Sequence, residues 1–127
     1  MNLVDSCGWL EYFAGATNAD FFAPAIEDIP QLIVPTLCLF EVFKRVLQQR
    51  GQGNAWRAVG LMRQARCIDL TDRLALGAAQ LSVDLKLSLA DSIIFHTARH
   101  HGAQLWTQDA HFEGLSGVNY VRKCPVP

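Results

Sequence analysis

The chain has 127 residues, of which 50% are hydrophobic and 18% charged. That composition excludes intrinsic disorder and low-complexity sequence, and the length suits one domain over residues 1–127. Eleven Lys and Arg against twelve Asp and Glu leave a formal charge of −1, which at face value argues against a nucleic-acid partner.

No apolar run reaches the roughly 18–20 residues of a membrane span. The first five residues meet an acid at once and lack the basic region of a signal peptide. The four cysteines, Cys7, Cys38, Cys67 and Cys124, form no C-x-x-C pair. They read as reduced, small hydrophobic residues of a cytoplasmic protein.

Leu3-Val4 reads as a brief buried strand. Asp5 or Ser6 then caps a helix through Trp9 and Phe13, closed by Gly15. A second helix is expected from Ala19 to about Asp28, with Pro24 in its first turn and Pro30 ending it. Leu32-Ile33-Val34 is a β-branched run between prolines and reads as a buried strand. Thr36 caps a long helix ending near Gly51, Gln52-Gly53-Asn54 forms a tight turn, and another helix covers residues 55–65. A third strand is expected at 67–70 and a helix from Thr71-Asp72 to about Val83. A helix from Ser88 to Gly102, a strand at 103–106 and a strand at 118–121 complete the chain. Short apolar strands alternating with helices imply a parallel sheet covered on both faces. In such sheets function gathers at the carboxyl ends of the strands.

Four acids stand in unusual company. Asp5 follows the first strand, and Asp109 comes just after the fourth. Glu41 lies in the apolar run Leu37-Cys38-Leu39-Phe40-Glu41-Val42-Phe43, and Asp91 lies in Leu89-Ala90-Asp91-Ser92-Ile93-Ile94. Each has an innocent reading: a helix cap for Asp5, a capping box with Ser88 for Asp91, an Asx-turn for Asp109, a solvated stripe for Glu41. One shared site explains all four. Converging carboxylates raise one another's pKa values unless a cation neutralises them. A hard divalent ion such as Mg²⁺ takes oxygen ligands and is commonly shared with a substrate phosphate. The chemistry this suggests is phosphodiester hydrolysis.

The segments Val4-Asp5-Ser6-Cys7-Gly8-Trp9-Leu10-Glu11-Tyr12-Phe13, Val34-Pro35-Thr36 with Phe40-Glu41-Val42, Leu89-Ala90-Asp91-Ser92-Ile93-Ile94 and Leu105-Trp106-Thr107-Gln108-Asp109-Ala110-His111-Phe112 occur in this order across positions 4 to 112. Together they resemble the PIN-domain ribonucleases, specifically the VapC toxins of bacterial toxin–antitoxin pairs. The resemblance implies a three-layer α/β/α fold with a mainly parallel sheet of four or five strands. It implies a Mg²⁺- or Mn²⁺-dependent endoribonuclease that is held inactive by a cognate antitoxin and forms a homodimer. By the family pattern Asp5, Glu41, Asp91 and Asp109 form the acidic quartet, with Thr107 the hydroxyl residue near the last acid and Ser6 the small polar residue after the first. Asp5 and Asp91 are then the main metal ligands, Asp109 a ligand or its neighbour, and Glu41 the group that orients or deprotonates water or helps hold a second ion. Many relatives carry a further acid where this chain has His111, which is expected to face solvent or bond locally.

No acid lies between Glu41 and Asp69, an interval that holds Lys44, Arg45, Arg50, Arg57, Arg63 and Arg66. This block reads either as a solvated face or as an arm that grips RNA phosphates or an acidic antitoxin segment. Trp56 within it reads as a core or dimer contact in preference to a platform that stacks on a base. Without the four site acids, eleven cations face eight acids, a net +3. A rival reading is a non-catalytic domain: an inactive relative, or a receiver-like module using Asp69 and Lys123.

Overall fold

The computed structural model describes residues 1–125. Five strands, β1 (Asn2–Val4), β2 (Leu32–Pro35), β3 (Arg66–Ile68), β4 (Gln104–Thr107) and β5 (Val118–Tyr120), form one sheet. All neighbouring pairs are parallel, in the spatial order β3-β2-β1-β4-β5. The helices are α1 (Ser6–Ala14), α2 (Ala19–Glu27), α3 (Thr36–Arg50), α4 (Gln52–Met62), α5 (Asp72–Leu85) and α6 (Leu89–His100), with short 3-10 turns at Ile29–Gln31 and Ala110–Phe112. The result is three layers, with the sheet between helices.

The central strands are apolar because both faces are covered. Leu3, Val4, Leu32, Ile33, Val34 and Leu105 are all buried. β3 is an edge strand and mostly exposed, which blurs its apolar signature. It therefore starts at Arg66 and ends at Ile68, not over 67–70.

The chain steps outward from β1 to β2 and β3, then returns to the other side of β1 for β4 and β5. The strand order thus reverses between β1 and β4. That reversal opens a crevice at the carboxyl ends of these two strands, where open α/β sheets place their ligands. The register Val4↔Trp106 sets Asp5 beside Thr107 at this edge.

Several boundaries differ from expectation. Pro24 lies past the first turn of α2, on its exposed side, where water can take the carbonyl that it leaves unpaired. Thr36 is the first residue of α3, and no side chain caps that end. Gly51 alone turns the chain between α3 and α4, at φ 84°, a value that favours glycine. Gln52-Gly53-Asn54 is therefore the first turn of α4, and that helix stops at Met62. Trp56 is not a core residue: it is 56% exposed and packs edge-on against Phe43. Cys67 is exposed, and all four cysteines are free.

Gly8 sets how closely α1 lies on β1. A Cβ there would stand 2.6 Å from the Phe22 ring and 2.7 Å from Val4 Cγ1. Only glycine permits this approach, which holds the start of α1 against the sheet edge.

Candidate active site

Asp5 is the first residue past β1. Its N–H donates to the Trp106 carbonyl at 2.9 Å and extends the ladder by one step. Its Oδ1 accepts from the Ser6 N–H at 2.8 Å, so the side chain caps α1. Its Oδ2 accepts from Thr107 Oγ1 at 2.8 Å and from Cys7 Sγ at 3.4 Å. The cap and the site are thus one arrangement, because backbone and hydroxyl donors fix the carboxylate's direction.

Asp5 is only 5% exposed. Burial raises its pKa from 3.8 to about 6, against the three hydrogen bonds that favour the ionised form. The charge of Asp91 raises it further.

Thr107, fully buried at the end of β4, joins two acids. Its hydroxyl donates to Asp5 and accepts from the Asp109 N–H at 2.9 Å. Glu41, one turn into α3, is half-buried and accepts from Ser6 Oγ at 2.6 Å. That bond supplies the partner a carboxylate in an apolar helical stretch requires.

Asp91 sits in the first turn of α6, where the helix dipole favours an anion. Its N–H donates to the capping Ser88 Oγ at 3.3 Å. Its carboxylate turns to His111, with Oδ2 at 3.2 Å from Nδ1. The His111 N–H donates to Asp109 Oδ1 at 2.9 Å, and its Nδ1 lies 3.3 Å from the same oxygen. The bond with Asp91, with the charges of Asp109 and Asp91, holds the exposed imidazole's pKa above its usual value. The contacts form a continuous chain: Glu41–Ser6–Asp5–Thr107–Asp109–His111–Asp91.

The donors of Asp91, Asp109 and His111 all lie within 4.8 Å of one another. Two carboxylate oxygens and an imidazole nitrogen suit a divalent cation, and the nitrogen tilts preference toward a transition ion such as Mn²⁺. Asp5, expected as a main ligand with Asp91, is not among these three donors: its Oδ2 bonds Thr107, and the charge of Asp91 reaches it. His111 does bond locally, and it does so inside the acid cluster.

The geometry adds two residues that sequence reasoning passed over. The Cys7 thiol is pushed up to about 12 by burial and by the charge of Asp5, so it is a hydrogen-bond donor and not a nucleophile. Asn18, buried between α1 and α2, donates through Nδ2 to Gln108 Oε1 at 3.0 Å and to the Arg122 carbonyl at 3.1 Å. Neither had a sequence signal beyond its position: one is a lone thiol near an acid, the other a polar residue in a loop.

The six cations of the acid-free interval do not form one arm. Arg50 and Arg57 line a concavity against α1. Lys44 and Arg63 rim an apolar groove of about 530 Å³ between α3 and α4, walled by Phe40, Phe43, Leu47 and Trp56. Arg66 faces a third hollow with His100 and His101, at the sheet's outer edge, and Arg45 is exposed on α3. Among the described residues, no Lys or Arg pairs with a carboxylate. The receiver-like reading fails on topology: Asp69 follows β3 and Lys123 follows β5, at opposite edges of the sheet. No helix of the described residues is long and apolar enough to cross a membrane.

Among solved structures, a toxin–antitoxin complex from Klebsiella pneumoniae is similar at 25% identity and a TM-score of 0.79, over 94% of this chain and 96% of that one. Mycobacterium tuberculosis VapC20, described as a Sarcin-Ricin loop cleaving toxin, shares 20% identity at a TM-score of 0.75, over 98% of this chain and all of that one. DNA-bound VapBC from Salmonella typhimurium shares 15% at 0.72, over 98% and 100%. No curated protein matches the chain. The PIN domain family model matches residues 3–118. The sheet order, the acids gathered where that order reverses, and this match over nearly the whole chain place the protein in the PIN-domain family.

Proposed function

We propose that the chain is the ribonuclease toxin of a toxin–antitoxin pair, cleaving RNA phosphodiesters with the help of Mg²⁺ or Mn²⁺. The observation that carries this reading is the unbroken chain of contacts from Glu41 through Asp5 and Thr107 to Asp109, His111 and Asp91, at the strand-order reversal of a PIN domain.

Asp91 and Asp109 would hold the cation, with Asp5, bonded to Thr107 and within reach of the Asp91 charge, as a further carboxylate ligand and His111 as an added donor. When bound, a divalent cation polarises the phosphoryl oxygen and brings the pKa of an attacking water toward neutrality. Glu41, aimed by Ser6, orients that water and accepts its proton. Thr107 keeps Asp5 and Asp109 at a fixed separation. Its hydroxyl cannot turn without losing a bond to one of them. The buried Asp5 carboxylate supplies negative charge that favours a cation over an empty site. The expected products carry 5′-phosphate and 3′-hydroxyl ends.

The partner reading follows the same relatives, whose structures include toxin–antitoxin complexes. The α3–α4 groove exposes Phe40 at 63% and Trp56 at 56% between Lys44 and Arg63. An amphipathic acidic segment of a cognate antitoxin matches that surface. A homodimer is part of the proposal.

Expression of the chain alone should arrest growth, and Asp91→Ala should relieve the arrest. Arrest that persists in a well-folded Asp91→Ala protein counts against the site.

A further inference from the structure

We infer that the hollow between the β4 edge and the segment after β5 is a nucleotide subsite, which seats the part of an RNA strand flanking the scissile phosphate. This inference rests on the ribonuclease reading above and adds residues that it does not use. The hollow measures about 450 Å³ and is lined by Cys7, Gln108, Asp109, Tyr120, Arg122 and Lys123. Its size lies in the range of small-ligand sites, roughly 300–1,000 Å³.

Three features point to a nucleotide. The hollow shares walls with the acid site, since Asp109 bonds His111 and Cys7 bonds Asp5. Arg122 and Lys123 are exposed and pair with no carboxylate among the described residues, so their charge is available to phosphate. Tyr120, half-buried on β5, supplies an aromatic side chain beside them. Cations that track a backbone beside an aromatic platform are the usual means of holding single strands. An acidic peptide satisfies the cations but leaves the aromatic wall without a role.

The segment is also held in place. The buried Asn18 amide donates to the Arg122 carbonyl and to Gln108 Oε1, and the Cys124 thiol donates to Asn18 Oδ1 at 3.6 Å. One buried side chain therefore ties the β4 edge to the backbone that carries both cations. A site prepared in this way loses less entropy on binding than a free tail would.

The test measures binding of a short fluorescein-labelled single-stranded RNA to the Asp91→Asn protein with Mg²⁺, across a salt series, beside cleavage kinetics of the parent. Arg122→Gln/Lys123→Gln should weaken binding about tenfold and flatten the log–log salt slope by about 1.4, two phosphate contacts at ~0.7 each. In the cleaving protein the same pair should raise KM with little change in kcat. Tyr120→Leu should weaken binding without moving the slope. Arg122→Lys/Lys123→Arg should keep the affinity; if it loses as much as the Gln pair, the residues serve packing and the inference fails. Unchanged affinity and slope in the Gln pair also overturn it, and leave the cations to a protein partner. If the parent cleaves no RNA but the Gln pair still loses affinity, the ribonuclease reading falls and with it the place beside a scissile phosphate, while the hollow stands only as a single-strand binding site. If the parent neither binds nor cleaves RNA, both fall.

Discussion

Asp5→Asn should abolish RNA cleavage and yet stabilise the metal-free protein above pH 6. The Asp5 carboxyl is held at about 6 instead of 3.8, chiefly because burial disfavours its charge. At ~1.4 kcal/mol per tenfold, ionising it in the fold costs about 3 kcal/mol more than in the unfolded chain. The sign follows from proton binding. Between pH 3.8 and about 6 the folded state holds a proton that the unfolded state has released, so stability falls as pH rises through that window. Above it the full cost is present. Asparagine carries no charge and keeps an acceptor for the Ser6 N–H, but it offers the Thr107 hydroxyl a poorer partner. The net gain should be about 1–3 kcal/mol at pH 8 and near zero or negative at pH 4. For a chain of this size that gain corresponds to a rise in Tm of roughly 3–12 °C. The assay is thermal unfolding of parent and variant in chelator at both pH values. A stability difference that is the same at pH 4 and pH 8 would refute the buried-charge reasoning.

Other substitutions probe separate links. Gly8→Ala places a methyl 2.6 Å from the Phe22 ring and should destabilise by about 1–3 kcal/mol in urea unfolding; a change below ~0.5 would mean that α1 can shift freely. Ser6→Ala removes the 2.6 Å bond to Glu41 and should lower kcat by roughly ten- to a hundredfold with little change in KM. Ser6→Thr should recover most of that loss, and an unaltered kcat in Ser6→Ala would remove Glu41 from its proposed role. His111→Ala should weaken Mn²⁺ binding by about tenfold in calorimetry and His111→Asp should shift preference toward Mg²⁺, whereas an unchanged Mn²⁺-to-Mg²⁺ ratio would exclude the imidazole as a donor.

The parallel sheet was legible because its inner strands are buried on both faces and therefore read as short apolar runs, as in Leu32-Ile33-Val34. The edge strand β3 was placed less well because exposure dilutes that pattern with Arg66 and Cys67. The turn falls at Gly51 and not at Gln52-Gly53-Asn54, because of two glycines that look alike in sequence only Gly51 adopts positive φ. The acids were legible as carboxylates in apolar surroundings or directly after strands. Their separate local explanations proved compatible with a shared site: Asp5 and Asp109 each accept a nearby backbone N–H, and the Asp91 N–H meets its capping serine. What the pattern did not carry was their order in space. That Thr107 links Asp5 to Asp109 and that His111 joins Asp91 and Asp109 depends on the β1–β4 register and on the 3-10 turn after β4. The basic interval was visible as charge, but helix geometry spreads five of its six cations over three hollows and leaves Arg45 apart. Arg122 and Lys123, which line a hollow together with Asp109, lie outside it.

The acid site is tested most directly by cleavage of single-stranded RNA by the purified protein with Mg²⁺ or Mn²⁺, with chelator, and by Asp5→Asn. Cutting should require the cation and be lost in the variant. Cutting that persists at parental rate in chelator or in Asp5→Asn would contradict the site's role.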